Sequence, residues 1–261
     1  MFVRKVEEFQ DWDALLASQE RIDAMRKGLE AGDVFIGRRF VDPETVRRLR
    51  GYLEGLARYS LPNYQAITPN CPNFHRIDRW DPRAHVGAGI HSFSFFPWNH
   101  DVFGLFQRFR AVYRLKNRLS GLEGDSFLGQ APDRGCVARI SFQYYPAGIG
   151  GINRHQDPYD YHQITVPAMS LSLRGTDFRT GGAYVEQESG GKLYLDDLCG
   201  LGDVTYFNAR MFHGVERIDP DAAEDWLSFR GRWMCLFAVN KVQGNEAIGD
   251  SVDLDRGGYP A

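Results

Sequence analysis

Apolar positions recur at helical spacing near the start of the chain. Trp12, Leu15, Leu16, Ile22, Met25 and Leu29 fall on one stripe, and Gly32 supplies a stop. Val34, Phe35 and Ile36 then read as a short strand. The run Asp42-Pro43-Glu44-Thr45 carries helix-start signals. An Asp caps free amides, a Pro sits in the first turn where no N–H is needed, and an acid lies near the positive end of the dipole. Val46, Leu49, Leu53 and Leu56 give that helix its apolar face. A further helical pattern runs from Asp101 to Leu119 and buries Phe106, Phe109, Val112, Tyr113 and Leu119.

Residues 60–100 interrupt this regularity. Pro62, Pro69, Pro72, Pro82 and Pro97 punctuate an aromatic-rich stretch without a steady period. A long irregular segment inside a compact chain predicts a functional loop, and its aromatic content argues against simple disorder. From Cys136 onward the pattern becomes strand-like. CVARISFQYY, ITVPAMSLSLR, GGAYVEQES, KLYLDD, GDVTYFN, HGVERI and RGRWMCLFAVN are β-prone runs separated by Gly, Asp and Pro. Their density predicts a two-sheet sandwich or barrel. Helices first and strands later make an α+β chain, with the helices packed outside a β core. The expected organisation is one domain over residues 1–261. It comprises a helical and loop region at 1–135 with an insert at 60–100, a β core at 136–240, and a polar, Gly-rich tail at 241–261 that is mobile or lid-like.

Composition narrows the function classes. With 261 residues, 43% hydrophobic and 13% aromatic, the chain can bury a sizeable core. A net charge of -3 gives no reason to expect a nucleic-acid or membrane partner. Cys71, Cys136, Cys199 and Cys235 are widely spaced, which argues against a structural zinc site and a disulfide framework. The N-terminal MFVRKVEEFQDWD is too acidic for a secretion signal, and no stretch approaches transmembrane length. The expected setting is soluble and cytoplasmic.

The candidate chemistry lies in His155-Gln156-Asp157 and a later His213. On an extended segment a His and an Asp two residues apart point the same way. A His from a neighbouring strand can close a three-point face around one metal ion. Two imidazoles and a carboxylate on one face, with the opposite face open, form the ligand set of non-heme Fe(II) oxygenases. His-x-Asp also occurs by chance, so its context matters.

Upstream of the pair lies Tyr145-Pro146-Ala147-Gly148-Ile149-Gly150-Gly151-Ile152-Asn153-Arg154. Downstream lie Gly175-Thr176-Asp177-Phe178, Thr180-Gly181-Gly182, and Gly202-Asp203-Val204-Thr205-Tyr206-Phe207-Asn208 ahead of His213-Gly214-Val215. In these motifs and their order the chain resembles the Fe(II)/2-oxoglutarate-dependent dioxygenase superfamily. The core looks most like the prolyl-hydroxylase branch, and GDVFIGRRFVDPETVRRLRGYL resembles the opening of phytanoyl-type members. The resemblance covers 136–240 well and 33–58 loosely.

The resemblance implies a double-stranded β-helix, a jelly-roll or cupin-like core. It implies Fe(II) on His155, Asp157 and His213, with 2-oxoglutarate and O2 as cosubstrates. The far carboxylate of 2-oxoglutarate calls for a buried Arg, whose planar fork suits it. Arg232 matches best, and Arg230, two residues earlier on the expected strand, is the fallback; the insert DPDAAEDWLSF lengthens the approach to both. Tyr145 matches a tyrosine lining the cosubstrate pocket; the alternative is an ordinary core aromatic. Asp157 stands where related halogenases carry a small residue, so halogenation is not expected.

Segments outside the β core shape the substrate pocket in this superfamily. That makes Arg79, Trp80, His91 and Trp98 of the insert, together with Gln156, the candidate substrate residues. Arg with Trp would suit a polar, anionic or sugar-like small molecule; the alternative is that these aromatics pack the loop onto the core. His162 is expected to be structural. A second metal site on His75, His85, His91 and His100 has no supporting spacing. Three rivals stand beside a small-molecule oxygenase: a nucleic-acid demethylase of the same superfamily, which would need a basic groove and is disfavoured by the acidic balance, a protein or peptide hydroxylase of that superfamily, and a non-enzymatic cupin-like binding protein.

Overall fold

A computed structural model describes residues 1–59, 66–77, 81, 83–160 and 162–255. Strand β1 (Val6–Phe9) precedes α1 (Trp12–Ala17), α2 (Gln19–Glu30), β2 (Val34–Gly37) and α3 (Pro43–Ala57). Then come β3 (Asn73–Ile77), β4 (Ala88–Phe95), α4 (Leu105–Arg108) and α5 (Arg110–Leu119). The β core holds β5 (Cys136–Pro146), β6 (Gly151–Gln156), β7 (Ala168–Ser170), β8 (Gly182–Glu186) and β9 (Lys192–Tyr194). It continues through β10 (Val204–Tyr206), β11 (His213–Glu216) and β12 (Gly231–Lys241), and β13 (Val252–Asp253) follows.

The strands form a curled jelly roll. One wall runs β1-β2-β10-β7-β12-β5-β4, with β3 on the outer side of β4. The other runs β6-β11-β8-β9, with β13 on the free side of β6. Strand β4 joins the walls. Its residues 91–95 pair with β5, while Ala88 and Gly89 pair with Ile152 and Gly151 of β6.

Side-chain alternation explains why the long strands β5 and β12 are buried on both faces. Ile140, Phe142, Tyr144, Trp233, Cys235 and Phe237 pack outward in one cluster with the helices. Tyr145 and Met234 belong to a second, inner cluster. The helices begin where caps permit. Asp11, Ser18 and Asp42 accept from the amides of Ala14, Arg21 and Thr45.

Three expectations are corrected. The first helical pattern is two helices, because Ser18 leaves helical geometry and caps the second. The pattern from Asp101 starts helix only at Leu105 and breaks at Phe109. The insert at 60–100 is not irregular throughout, since 73–77 and 88–95 are strands of the main wall. All eight residues of β4 are buried, so no exposed polar face marks it. The tail is also partly ordered, through β13 on β6. Among the described residues no helix is long and apolar enough to cross a membrane.

Candidate metal centre

Strands β6 and β11 are antiparallel, and their register places His155 opposite His213. Asp157 follows β6 by one residue and is held by its amide on the Ala209 carbonyl at 3.0 Å. One ligand atom from each of the three side chains lies within 4.8 Å of the others. His155 Nε2 is 3.7 Å from Asp157 Oδ1, and His213 Nε2 is 3.4 Å from Asp157 Oδ2. This is the one potential metal-holding group of its kind among the described residues, so the other histidines form no second cluster there.

Both imidazoles are oriented from behind. His155 Nδ1 lies 2.7 Å from the Asn153 carbonyl oxygen, and His213 Nδ1 lies 2.9 Å from that of Met211. A carbonyl only accepts, so each Nδ1 carries the proton and each Nε2 keeps its lone pair for a metal. The Phe207 ring meets His213 edge-on, with centroids 4.9 Å apart. Burial lowers the His155 imidazole to about 4, and His213 adds to the effect. Burial opposes charge on Asp157, but the two imidazoles and Ser251 outweigh it and bring the carboxyl to about 2. Burial likewise opposes a cation at His213, and there the Asp157 charge prevails and raises the group. Neutral His155 and ionised Asp157 are the forms that bind a divalent metal.

A cavity of about 170 Å³ opens beside the three ligands. Arg232 lines it from β12, opposite Tyr145 of β5. The Arg232 side chain is buried, and its Nε donates to both oxygens of Asp196 at 3.0 and 2.7 Å. Asp196 Oδ2 also accepts from the Ala183 amide at 2.6 Å. One edge of the guanidinium is thereby fixed. On the other edge Nη1 is buried without a hydrogen-bond partner. A buried, unpaired cationic donor is costly, so this corner suits an incoming anion. Tyr145 donates its hydroxyl to Gln143 Oε1 at 2.6 Å, and its ring lies 5.6 Å from the Arg232 guanidinium.

The other sequence candidates are dispersed. Arg230 is exposed and absent from this cavity. Gly231, at a φ of 138°, breaks the two-residue alternation that would have aimed Arg230 like Arg232. Gln156 donates to the Arg210 carbonyl and does not line the cavity. His91 is buried on the outer side of β4, stacked on Phe93 at 4.4 Å. Trp98 stacks on Phe96 at 4.7 Å and donates to the Cys71 carbonyl at 3.2 Å. For His91 and Trp98 the packing alternative is the one realised. Arg79 and Trp80 lie outside the described residues.

Sequence reasoning missed Asp196 and Ser251. Ser251 Oγ donates to Asp157 Oδ1 at 3.4 Å from the strap that carries β13. It also missed a second, larger cavity of about 480 Å³ that shares Val86, Gln143, Ile152 and Asp157 with the first. The candidate metal group therefore sits where two cavities meet.

No protein-family model and no curated protein matches the sequence. Solved structures match the fold. A prolyl hydroxylase from Trichoplax adhaerens, in complex with a hypoxia inducible factor peptide fragment, is similar over 88% of this chain and 93% of its own, at 13% identity and a TM-score of 0.51. The Neurospora crassa thymine-7-hydroxylase, in complex with alpha-KG and thymine, is similar over 91% and 85%, at 12% identity and a TM-score of 0.52. A Pseudomonas putida prolyl-4-hydroxylase is similar over 85% and 100%, at 14% identity and a TM-score of 0.50. The chain has the jelly-roll fold of these structures.

Proposed function

We propose that this protein is an Fe(II)- and 2-oxoglutarate-dependent oxygenase acting on a small polar molecule. One observation carries the reading. A two-His, one-carboxylate group borders a cavity in which a buried arginine keeps an unpaired Nη1. His155, Asp157 and His213 would hold the iron, and Arg232 would receive the far carboxylate of 2-oxoglutarate. Bound there, the metal, 2-oxoglutarate and O2 supply the oxidation of a substrate C–H bond, with loss of CO2 and succinate from the cosubstrate.

The protein's own residues prepare the site. The Asn153 and Met211 carbonyls hold the imidazole rings, and Asp196 holds Arg232. Met234, Val215 and Leu195 line the small cavity with apolar surface that excludes water. The larger cavity leads substrate to the open side of the metal group. Its volume of about 480 Å³ is of metabolite size, which favours a small molecule over a protein substrate.

Adding Fe(II) and 2-oxoglutarate without oxygen should produce a visible charge-transfer band. Asp157→Ala should remove the band and succinate formation together. A wild-type spectrum that stays unchanged would support a non-enzymatic binding protein instead.

A further inference from the structure

The chain after β12 forms one side of the larger cavity, through Gly244, Ile248, Gly249, Asp250 and Ser251. An outer cavity of about 260 Å³ lies on the other side of this strap, among the exposed residues Arg210, Gly249 and Val252. Ile248, Gly249 and Asp250 line both cavities, as do Asp157 and Pro158. The strap is therefore the partition between the chamber beside the metal group and the protein surface.

Polar contacts hold the strap more than packing does. Between residues 244 and 255 only Ile248 is buried. Asp250 accepts from Lys241 Nζ of β12 at 2.8 Å and lies 3.5 Å from His85 Nε2, ahead of β4. Ser251 donates to Asp157 Oδ1 at 3.4 Å. Beyond it, β13 pairs with the ligand strand β6. A segment with a single buried apolar anchor opens at low cost, so each polar contact shifts its balance between closed and open. Among the described residues, the Ser251 hydroxyl makes the one side-chain hydrogen bond from the strap to a metal ligand. The two histidines are held differently, by the Asn153 and Met211 carbonyls of the β core and its turn. Asp157 is thus the ligand whose side chain leans on the strap.

We infer that Ser251 is a positioning residue that couples the strap to the metal: it holds one oxygen of Asp157 while the other serves the ion, so that a bound metal keeps the larger cavity closed. This adds a regulation to the oxygenase reading above and rests on it. A ligating carboxylate fixed by a neighbouring hydroxyl is already oriented when the metal arrives. In return, the metal fixes the acceptor on which the strap closes. Such coupling is reciprocal: whatever loosens the strap must weaken the metal, and loss of the metal must loosen the strap.

The test uses the full chain, freed of metal and titrated with Mn(II) alone. Hydrogen exchange reads the strap and calorimetry reads the affinity. In wild type, Mn(II) should slow exchange at residues 248–253 by about fivefold or more. Ser251→Ala should still bind Mn(II) through His155, Asp157 and His213, roughly tenfold more weakly, and the metal should no longer protect the strap. Retained binding shows that the variant is folded. Ser251→Thr keeps the hydroxyl and should restore both affinity and protection. Lys241→Met removes a tether from Asp250 and touches no ligand; it should speed exchange in the strap and weaken Mn(II) by about threefold or more. Equal protection in wild type and Ser251→Ala would overturn the inference. So would an unchanged affinity in a Lys241→Met protein whose strap exchanges faster. Mn(II) that binds wild type and leaves the strap unprotected sinks the inference alone. If wild type takes up no Mn(II), the oxygenase reading fails and the inference falls with it.

Discussion

Two buried charges show what single residues contribute here. Arg232 is tied to Asp196, and removing one member of a buried pair leaves the other uncompensated. Asp196→Ala should therefore lower stability by about 3–5 kcal/mol in urea unfolding; an unchanged midpoint would mean that the pair does not hold Arg232. Lys116 is a different case. It is fully buried on α5, and its Nζ donates to the His162 carbonyl at 3.4 Å. Burial lowers its pKa to about 7, whereas an unfolded lysine stays near 10.4. Between those values the unfolded chain binds the extra proton, so stability rises with pH through this window. Urea midpoints should increase from pH 7 to pH 9, and Lys116→Met should flatten that rise; equal slopes in both proteins would contradict the assignment. The convergence of His155, Asp157 and His213 was legible in the sequence because His155 and Asp157 are two residues apart on an extended segment and His213 follows a β-prone run. Asp196 was not, because it lies in a short 3-10 turn beside a second acid, Asp197. Lys116 sits among Arg114, Asn117 and Arg118, a spacing that reads as a solvated helix face.

At the level of elements, the C-terminal strap does more than its length suggests. Asp253 pairs in register with His155, and its Oδ2 accepts from the Gly87 amide at 2.8 Å and from Asn153 Nδ2 at 3.1 Å. One carboxylate thus fastens the strap to the ligand strand and to the segment entering β4. Asp253→Ala should release the strap while leaving the jelly roll folded. Hydrogen exchange should accelerate in residues 248–255 and at the free edge of β6, with little change in β5 and β12; uniform acceleration would point to global destabilisation instead. The sequence pattern predicts a polar, mobile or lid-like tail here and misses its strand, because a two-residue strand carries no periodic signal. Strand β4 escaped notice for another reason: its Ser-Phe alternation spans only Ser92 to Phe95, inside a Pro-punctuated stretch that reads as a loop.

For the whole molecule, the outcome depends on bringing two walls into facing positions. His155 and His213 stand on β6 and β11, and Asp157 directly follows β6, whereas Arg232 stands on β12 of the opposite wall. Ligands that bridge them should add to folding stability by mass action. Fe(II) or Mn(II) with 2-oxoglutarate at about a hundredfold over their dissociation constants should raise the melting temperature by roughly 5 °C or more. A chelator should reverse the rise, and His213→Ala should abolish it. A rise that survives in His213→Ala would place the stabilising metal elsewhere.

Strand β4 gives up its partnership with β5 and takes up one with β6 within a few residues of Gly89. A methyl group on Gly89 would come within 2.8 Å of the Ile149 carbonyl oxygen. The hand-over of β4 from one wall to the other therefore leaves no room for a side chain, and the seam between the two walls depends on a residue that has none.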